Sequence, residues 1–319
     1  MSYKRRQFLL ASLGYLGFAS LSAILKRFRA KPAVANEPAA RSLEPIAPEL
    51  IPPDIQASAQ DLLPTDNEVL LRFASLGDTG TGTRSQYAVA AAMIAHHQKQ
   101  PFPLVLMAGD NIYNNGEMSK IAAVFERPYQ PLLQRGVKFH ACLGNHDIRT
   151  ENGTPQVRYP GFNMQGRYYS VRQGPVQFFA LDTNTNAPWR DQLSWLDQEL
   201  SRSDALWKVV FGHHTLYSSG PHGTDRTRIR LLVPLFQKHN VQLYINGHDH
   251  HYERSREING TTYVICGAGA GTRPVGRSSW TAYSASRLSF VSYTVYRDRM
   301  ELQAIGTNHQ VFDRGLIRR

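Results

Sequence analysis

A chain of 319 residues, 42% hydrophobic and 19% charged, can bury a sizeable core, and its 24 Gly and 18 Pro are ordinary loop content rather than a disorder signature. The formal charge of +11 suggests a nucleic-acid or membrane surface until the bases are located. Residues 1–35 hold Lys4, Arg5, Arg6, Lys26, Arg27, Arg29 and Lys31 and no acid; without these seven, 29 bases face 25 acids, and no nucleic-acid partner is implied.

The first segment, 1–35, reads as an export signal. Lys4-Arg5-Arg6-Gln7-Phe8-Leu9-Leu10 resembles the twin-arginine motif, a moderately apolar stretch runs from Phe8 to Leu25, and Ala33-Val34-Ala35 offers the small residues of a cleavage site. An exported, periplasmic, lumenal or extracellular location follows, and a membrane association only if the segment stays attached as an anchor. N-terminal sequencing of the exported protein that began at Met1 would exclude cleavage after Ala35. Residues 36–67, rich in Pro, Ala, Glu and Ser, read as a linker, and residues 68–319 as one catalytic domain.

Within 68–319, apolar runs alternate with helical patterns at Gln86–Gln98, Met118–Leu133, Trp189–Arg202 and Arg226–His239. Tyr168–Ser170 and Val176–Leu181 predict a hairpin. Thr261–Gly267 and the alternating Leu288–Gly306 stretch read as antiparallel partners, and Arg318-Arg319 as a charged tail. The pattern predicts an α/β fold: a pair of mixed sheets covered by helices on both outer faces. The two cysteines, Cys142 and Cys266, fall inside predicted strands, where thiols are usually buried and inert. A disulfide between them is left open.

Five apolar runs stop at a glycine and then present a residue able to bind a metal. They end at Gly77-Asp78, Gly109-Asp110, Gly144-Asn145, Gly212-His213 and Gly247-His248. Each glycine is expected to let the backbone turn as its strand ends, and in α/β sheets chemistry gathers at the carboxyl ends of strands. Tyr113 and His250 lie just beyond two of the junctions. Asp78, Asp110, Tyr113, Asn145, His213, His248 and His250 together form a set without thiolate, suited to Fe, Mn or Zn. One carboxylate can bridge two ions ~3.5–4 Å apart. The plain alternative for Asp78 and Asp110 is helix N-capping, and for Tyr113 a packed loop aromatic. His96, His97, His140 and His239 read as structural. His214 and His251 are expected to point away from the ligands, and Arg149, Arg158 and Arg167 to form a solvated basic loop that can steer anions.

GDTG at 77–80, GDNIY at 109–113, GNHD at 144–147, GHH at 212–214 and GHDHHYER at 247–254 resemble the metallophosphoesterases, and with Tyr113 the purple acid phosphatases of the small tartrate-resistant type. The resemblance implies a four-layer α/β/β/α sandwich and a dinuclear centre of Fe(III) plus a divalent metal (Fe, Zn or Mn). By the resemblance, Asp78, Tyr113 and His250 hold the iron, Asp110 bridges, and Asn145, His213 and His248 complete the second site. A trivalent and a divalent ion against two carboxylates, a phenolate and a hydroxide leave about +1, an attraction for a phosphate oxyanion. His146 would contact phosphate or protonate the leaving alcohol, with Asp147 orienting its imidazole. His222 would be a second substrate histidine. The implied activity is hydrolysis of small-molecule phosphate monoesters by a metal-activated hydroxide. A phosphodiesterase on the same scaffold, or an iron-binding or redox protein with incidental hydrolysis, is the alternative. Thr79 stands where animal members commonly carry tryptophan, and HHYER resembles the plant type, which leaves substrate preference open.

Overall fold

The computed structural model describes residues 67–319. The signal-like segment and all of the linker but its last residue lie outside the described residues.

Among the described residues, thirteen strands form two sheets. The first joins β1 (Leu71–Leu76), β2 (Leu104–Met107), β3 (Lys138–Ala141), β11 (Ser289–Val295), β12 (Arg299–Gly306) and β13 (Val311–Arg318) in the order β13-β12-β11-β1-β2-β3. The second joins β4 (Tyr169–Gln173), β5 (Val176–Ala180), β6 (Trp207–Phe211), β7 (Leu243–Asn246), β8 (Tyr252–Ser255), β9 (Thr262–Cys266) and β10 (Thr281–Ala285) in the order β10-β8-β9-β7-β6-β5-β4. In the first sheet β1-β2-β3 run parallel to one edge and the antiparallel strands lie on the β1 side; in the second, parallel β5-β6-β7-β9 carry antiparallel flanks on both sides. Parallel strands all end on the same side, so their loops share one crevice.

Side-chain alternation builds the layers. Phe73, Leu106, Val291 and Leu302 of the first sheet meet Phe178, Val209, Phe211, Leu243 and Ile245 of the second in the central core. The opposite faces are just as apolar. Leu76, Val105 and Met107 pack beneath α1 (Arg84–Lys99) and α2 (Arg127–Leu133), while Phe179, Val210 and Tyr244 pack beneath α3 (Trp189–Arg202) and α4 (Arg226–Lys238). Two sheets with three apolar layers make the four-layer α/β/β/α sandwich. Phe73 stacks on Tyr293 with centroids 4.3 Å apart and meets Phe178 edge-on at 5.0 Å, linking the two sheets through the central core. Truncating such a buried ring costs about 3–5 kcal/mol, and here it would also loosen the spacing between the two halves of the site.

Three expectations are corrected. Met118–Leu133 is not one helix: a 3₁₀ turn at Met118–Lys120 leads into a π-helical stretch, Ala122–Glu126, before α2. Pro128 supplies no N–H, so the Val124 carbonyl four residues earlier lacks its helical donor; the Gln86 side-chain amide donates to it instead. The Thr261–Gly267 and Leu288–Gly306 stretches are not partners. Strand β9 lies in the second sheet between β7 and β8, whereas β11 and β12 pair with each other in the first. Arg318 is not a loose tail but the last residue of β13, paired with Arg299. Cys142 and Cys266 are buried and unpaired. Among the described residues no helix is long and apolar enough to cross a membrane.

Candidate metal centre

Every strand-end junction opens at the same end of the sandwich. Asp78, Asp110 and Asn145 follow β1, β2 and β3; His213 and His248 follow β6 and β7. Neither aspartate caps a helix, for α1 begins behind Thr83 and no α-helix follows Asp110 directly.

The turning is done by the functional residues more than by the glycines. Asp78, Asp110 and His248 have φ of 56°, 52° and 69°, a region that non-glycine residues rarely occupy, whereas of the five junction glycines only Gly109 has positive φ. Gly144 and Gly247 are there for space. A Cβ on Gly144 would lie 2.1 Å from Asp110 Oδ1, and one on Gly247 would lie 2.3 Å from Asp78 Oδ2. The strained turns are held by hydrogen bonds: the His248 amide donates to Asp78 Oδ2 (2.9 Å) and the His146 amide to Asp110 Oδ1 (2.9 Å).

All seven expected donors converge, in two groups. In the first, Tyr113 Oη is 3.0 Å from Asp78 Oδ1 and 3.1 Å from His250 Nε2, and that nitrogen is 3.4 Å from Asp78 Oδ1. In the second, His213 Nε2 is 3.0 Å from Asn145 Oδ1, 3.2 Å from His248 Nδ1 and 3.5 Å from Asp110 Oδ1. Asp110 touches both groups, and Asp78, Asp110 and His213 offer ligand atoms within 4.8 Å of one another.

The electrostatics are those of a cage for cations. Asp78 and Asp110 are buried side by side, 1% and 2% exposed. Burial, reinforced by those two carboxylates, drives the Tyr113 phenol far above its ordinary pKa, so it ionises only against a strong positive charge. Burial pulls the His213 imidazole down, but Asp110 and Asp78 more than offset this and its pKa is raised. Burial, then the neighbouring imidazoles of His213 and His222, lowers His248 to about 2, which keeps its lone pair free. His213 Nδ1 lies 2.9 Å from the Ala108 carbonyl, which fixes that nitrogen as donor and aims the Nε2 lone pair into the cage. Two carboxylates, a phenol, an amide oxygen and three imidazoles fit hard to borderline metal ions.

The substrate-side residues divide. His146 Nδ1 bonds the Asn114 carbonyl (2.7 Å), leaving Nε2 3.9 Å from Asp110 Oδ2. His222 Nδ1 lies 2.7 Å from the buried Asp249 Oδ1, and its ring lies against that of His248, tilted by 34° with centroids 4.0 Å apart. Asp147 makes no hydrogen bond to the His146 imidazole. It is wholly buried, accepts from the amides of Asn111, Ile112 and Gly144 and from Gln156 Nε2, and so staples the Asp110 loop to the Asn145 loop.

Sequence reasoning passed over Asp249, whose only signal was its place between His248 and His250. His214 was expected to point away, yet its ring lies 4.5 Å from that of His248, and its Nδ1 bonds Thr183 Oγ1, which also caps the His213 and His214 amides. His251 does turn elsewhere, toward Glu253. Arg167 is tied to Asp182 rather than solvated.

The sequence pattern of the calcineurin-like phosphoesterases matches residues 71–252, and the chain belongs to that family. It is 30% identical over 233 residues to purple acid phosphatase 7 of Arabidopsis thaliana, covering 63% of this chain and 70% of that one. It is 28% identical over 238 residues to tartrate-resistant acid phosphatase type 5 of Sus scrofa, again covering 63% and 70%. Among solved structures, purple acid phosphatase PPD1 from yellow lupin (Lupinus luteus) seeds superposes with a TM-score of 0.66 at 21% identity, over 81% of this chain and 55% of that one. GAP50, the anchor in the inner membrane complex of Plasmodium, superposes with a TM-score of 0.70 at 21% identity, over 79% and 89%, a likeness of fold. The expected family and sandwich are thereby borne out, and the chain is a phosphoester hydrolase by class.

Proposed function

We propose that this chain is an exported acid phosphatase that hydrolyses small-molecule phosphate monoesters at a dinuclear metal centre. Asp78, Tyr113 and His250 would hold a ferric ion, Asp110 would bridge, and Asn145, His213 and His248 would hold a divalent Fe, Zn or Mn ion. One observation carries the reading: seven donors from five strand ends meet in two groups that share Asp110. Phenolate is a hard, strongly donating ligand and favours the ferric state at the Tyr113 side.

When bound, the ion pair supplies positive charge for the phosphoryl oxygens and acidifies a water nucleophile. The chain's own residues do the rest. His146 has its Nδ1 engaged by the Asn114 carbonyl and delivers or withholds a proton at Nε2, on the cleft side of Asp110. His222, fixed through Nδ1 by Asp249, offers its Nε2 to a phosphate oxygen or to the leaving oxygen. Asp147 holds the Asp110 and Asn145 loops in register and is a positioning residue, in place of the role expected for it.

The test is Asp110→Ala in protein loaded with iron and a divalent ion. Metal content by mass spectrometry should fall below two ions per chain and turnover of an aryl phosphate monoester by at least ~10³-fold, since the shared ligand of both ions is gone. Two retained ions with full turnover would refute the bridging assignment. Faster turnover of the matching diester by the wild type would favour the phosphodiesterase alternative.

A further inference from the structure

Among the arginines of the basic loop after Asn145, Arg149 is the one held against His146. Arg167 is neutralised by buried Asp182, but Arg149 is exposed, and no carboxylate of the described residues pairs with it. It is nonetheless held in place. Its Nη1 donates to the Asn114 carbonyl (3.1 Å), the same oxygen that receives His146 Nδ1 (2.7 Å), and its Nη2 lies 3.5 Å from His146 Nε2. Imidazole and guanidinium are thus hung from one carbonyl and keep a fixed relation.

Both surround one nitrogen: Asp110 Oδ2, of the carboxylate shared by both ligand groups, is 3.9 Å and Arg149 Nη2 is 3.5 Å from His146 Nε2. A phosphoester seated at the centre and touching His146 therefore lies within reach of the guanidinium, and an anion on its departing half gains a partner there. Arginine stays charged throughout the working pH range and presents a planar fork of donors matched to carboxylate or phosphate. Only two of its nitrogens have partners here, each a single one, so N–H donors remain for a ligand.

The geometry points to Arg149 as a specificity residue that binds an anion on the leaving group. It favours phosphoesters and phosphoanhydrides whose departing half carries its own carboxylate or phosphate close to the scissile bond. This builds on the phosphatase activity proposed above. In the reaction, water gives a hydroxyl to phosphorus and the bridging P–O bond breaks with its electron pair kept by the leaving oxygen. That oxygen takes the proton of His146, which recovers one from the water. Arg149 neutralises the second anion of the departing half and does not take part in bond making.

The experiment compares wild type, Arg149→Lys and Arg149→Ala, all metal-loaded, on inorganic pyrophosphate and on 4-nitrophenyl phosphate, whose leaving group has no second anion. Calorimetry with orthophosphate and with non-hydrolysable methylenediphosphonate supplies a readout independent of turnover. Arg149→Ala should lose ~30-fold or more in kcat/KM on pyrophosphate but under ~5-fold on the aryl ester, as expected for removal of a charge-assisted hydrogen-bond pair. Methylenediphosphonate should bind ~10-fold or more weakly and orthophosphate within ~3-fold of wild type, with Arg149→Lys between, because it keeps charge but not the fork. Equal losses on both substrates would make Arg149 a general or structural element, and no loss on either would make it solvated; both overturn the assignment. A wild type inactive on the aryl ester would instead overturn the phosphatase reading, while the ratio of the two binding constants still decides Arg149.

Discussion

Gly144→Ala tests whether the centre depends on close backbone approach rather than on ligand identity alone. An alanine Cβ at 144 would sit 2.1 Å from Asp110 Oδ1, 2.2 Å from the Asp110 amide nitrogen and 2.8 Å from its Cγ. Real Cβ contacts essentially never fall below 3.0 Å. Turning the Asp110 side chain does not relieve the clash, because the backbone nitrogen is struck as well. The Asp110 segment must retreat by about 0.8–0.9 Å, against the Asp147 staple that joins the same two loops. Overpacking of this kind costs about 1–3 kcal/mol, a fall in Tm of about 2–12 °C for a domain of this size. The kinetic effect should be larger than the thermal one, because a misplacement of about 1 Å at a reacting centre costs on the order of 10²-fold in rate. Metal content, thermal melting and kcat/KM on an aryl phosphate measure the three effects separately. Gly276→Ala is the control: its nearest atom is 3.4 Å away and its φ is not positive, so it should behave as wild type. A Gly144→Ala protein with two ions and undiminished kcat/KM would refute the crowding account.

Two further outcomes are expected. Protein loaded with ferric iron should show a visible tyrosinate-to-iron charge-transfer band that Tyr113→Phe abolishes; a band surviving the substitution would remove Tyr113 from the iron's ligands, despite its placement 3.0 Å from Asp78 and 3.1 Å from His250. His96, far from the centre in α1, has its pKa lowered to about 4 by burial and then by His97, Lys99 and Arg72. The unfolded chain therefore takes up this proton near pH 6.5 and the folded one only near 4, so stability present above about pH 6.5 is lost as pH falls toward 4. Allowing for solvent on one side of the ring, the loss is about 1–2 kcal/mol. Urea midpoints at pH 7.5 and 4.5 should differ less in His96→Gln than in wild type, and an unchanged difference would exclude His96 as the source.

Periodicity and junction chemistry made much of the protein readable in advance. Helix Trp189–Arg202 and the hairpin of β4 and β5 stand where the apolar spacing puts them, because an amphipathic helix or an alternating strand carries its burial pattern locally. Strands β8 and β10, reading YERS and TAYSA, were not legible. They are short and largely polar, and they become strands because β9 and then β8 offer them an edge. The break of the Met118–Leu133 helix follows from prolines visible in the sequence, but its repair by Gln86 needed the packed structure.

The site divides along the same line. Residues standing just past an apolar run and a glycine can be named from the order of the letters, since a strand end and a ligand-type side chain are local properties. That reasoning named Asp78, Asp110, Tyr113, Asn145, His213, His248 and His250, whose side chains lie together in the structure. What the chain order could not supply was the tertiary packing, which brings Gly247 against Asp78, Asp249 under His222, and the Asn114 carbonyl to both His146 and Arg149. The same packing gave Asp147 its work of stapling loops and brought His214 alongside His248. Such contacts join segments tens to well over a hundred residues apart. Their distances depend on how side chains from distant strands fill the space between the sheets, a property of three-dimensional close packing that no local pattern of residues encodes.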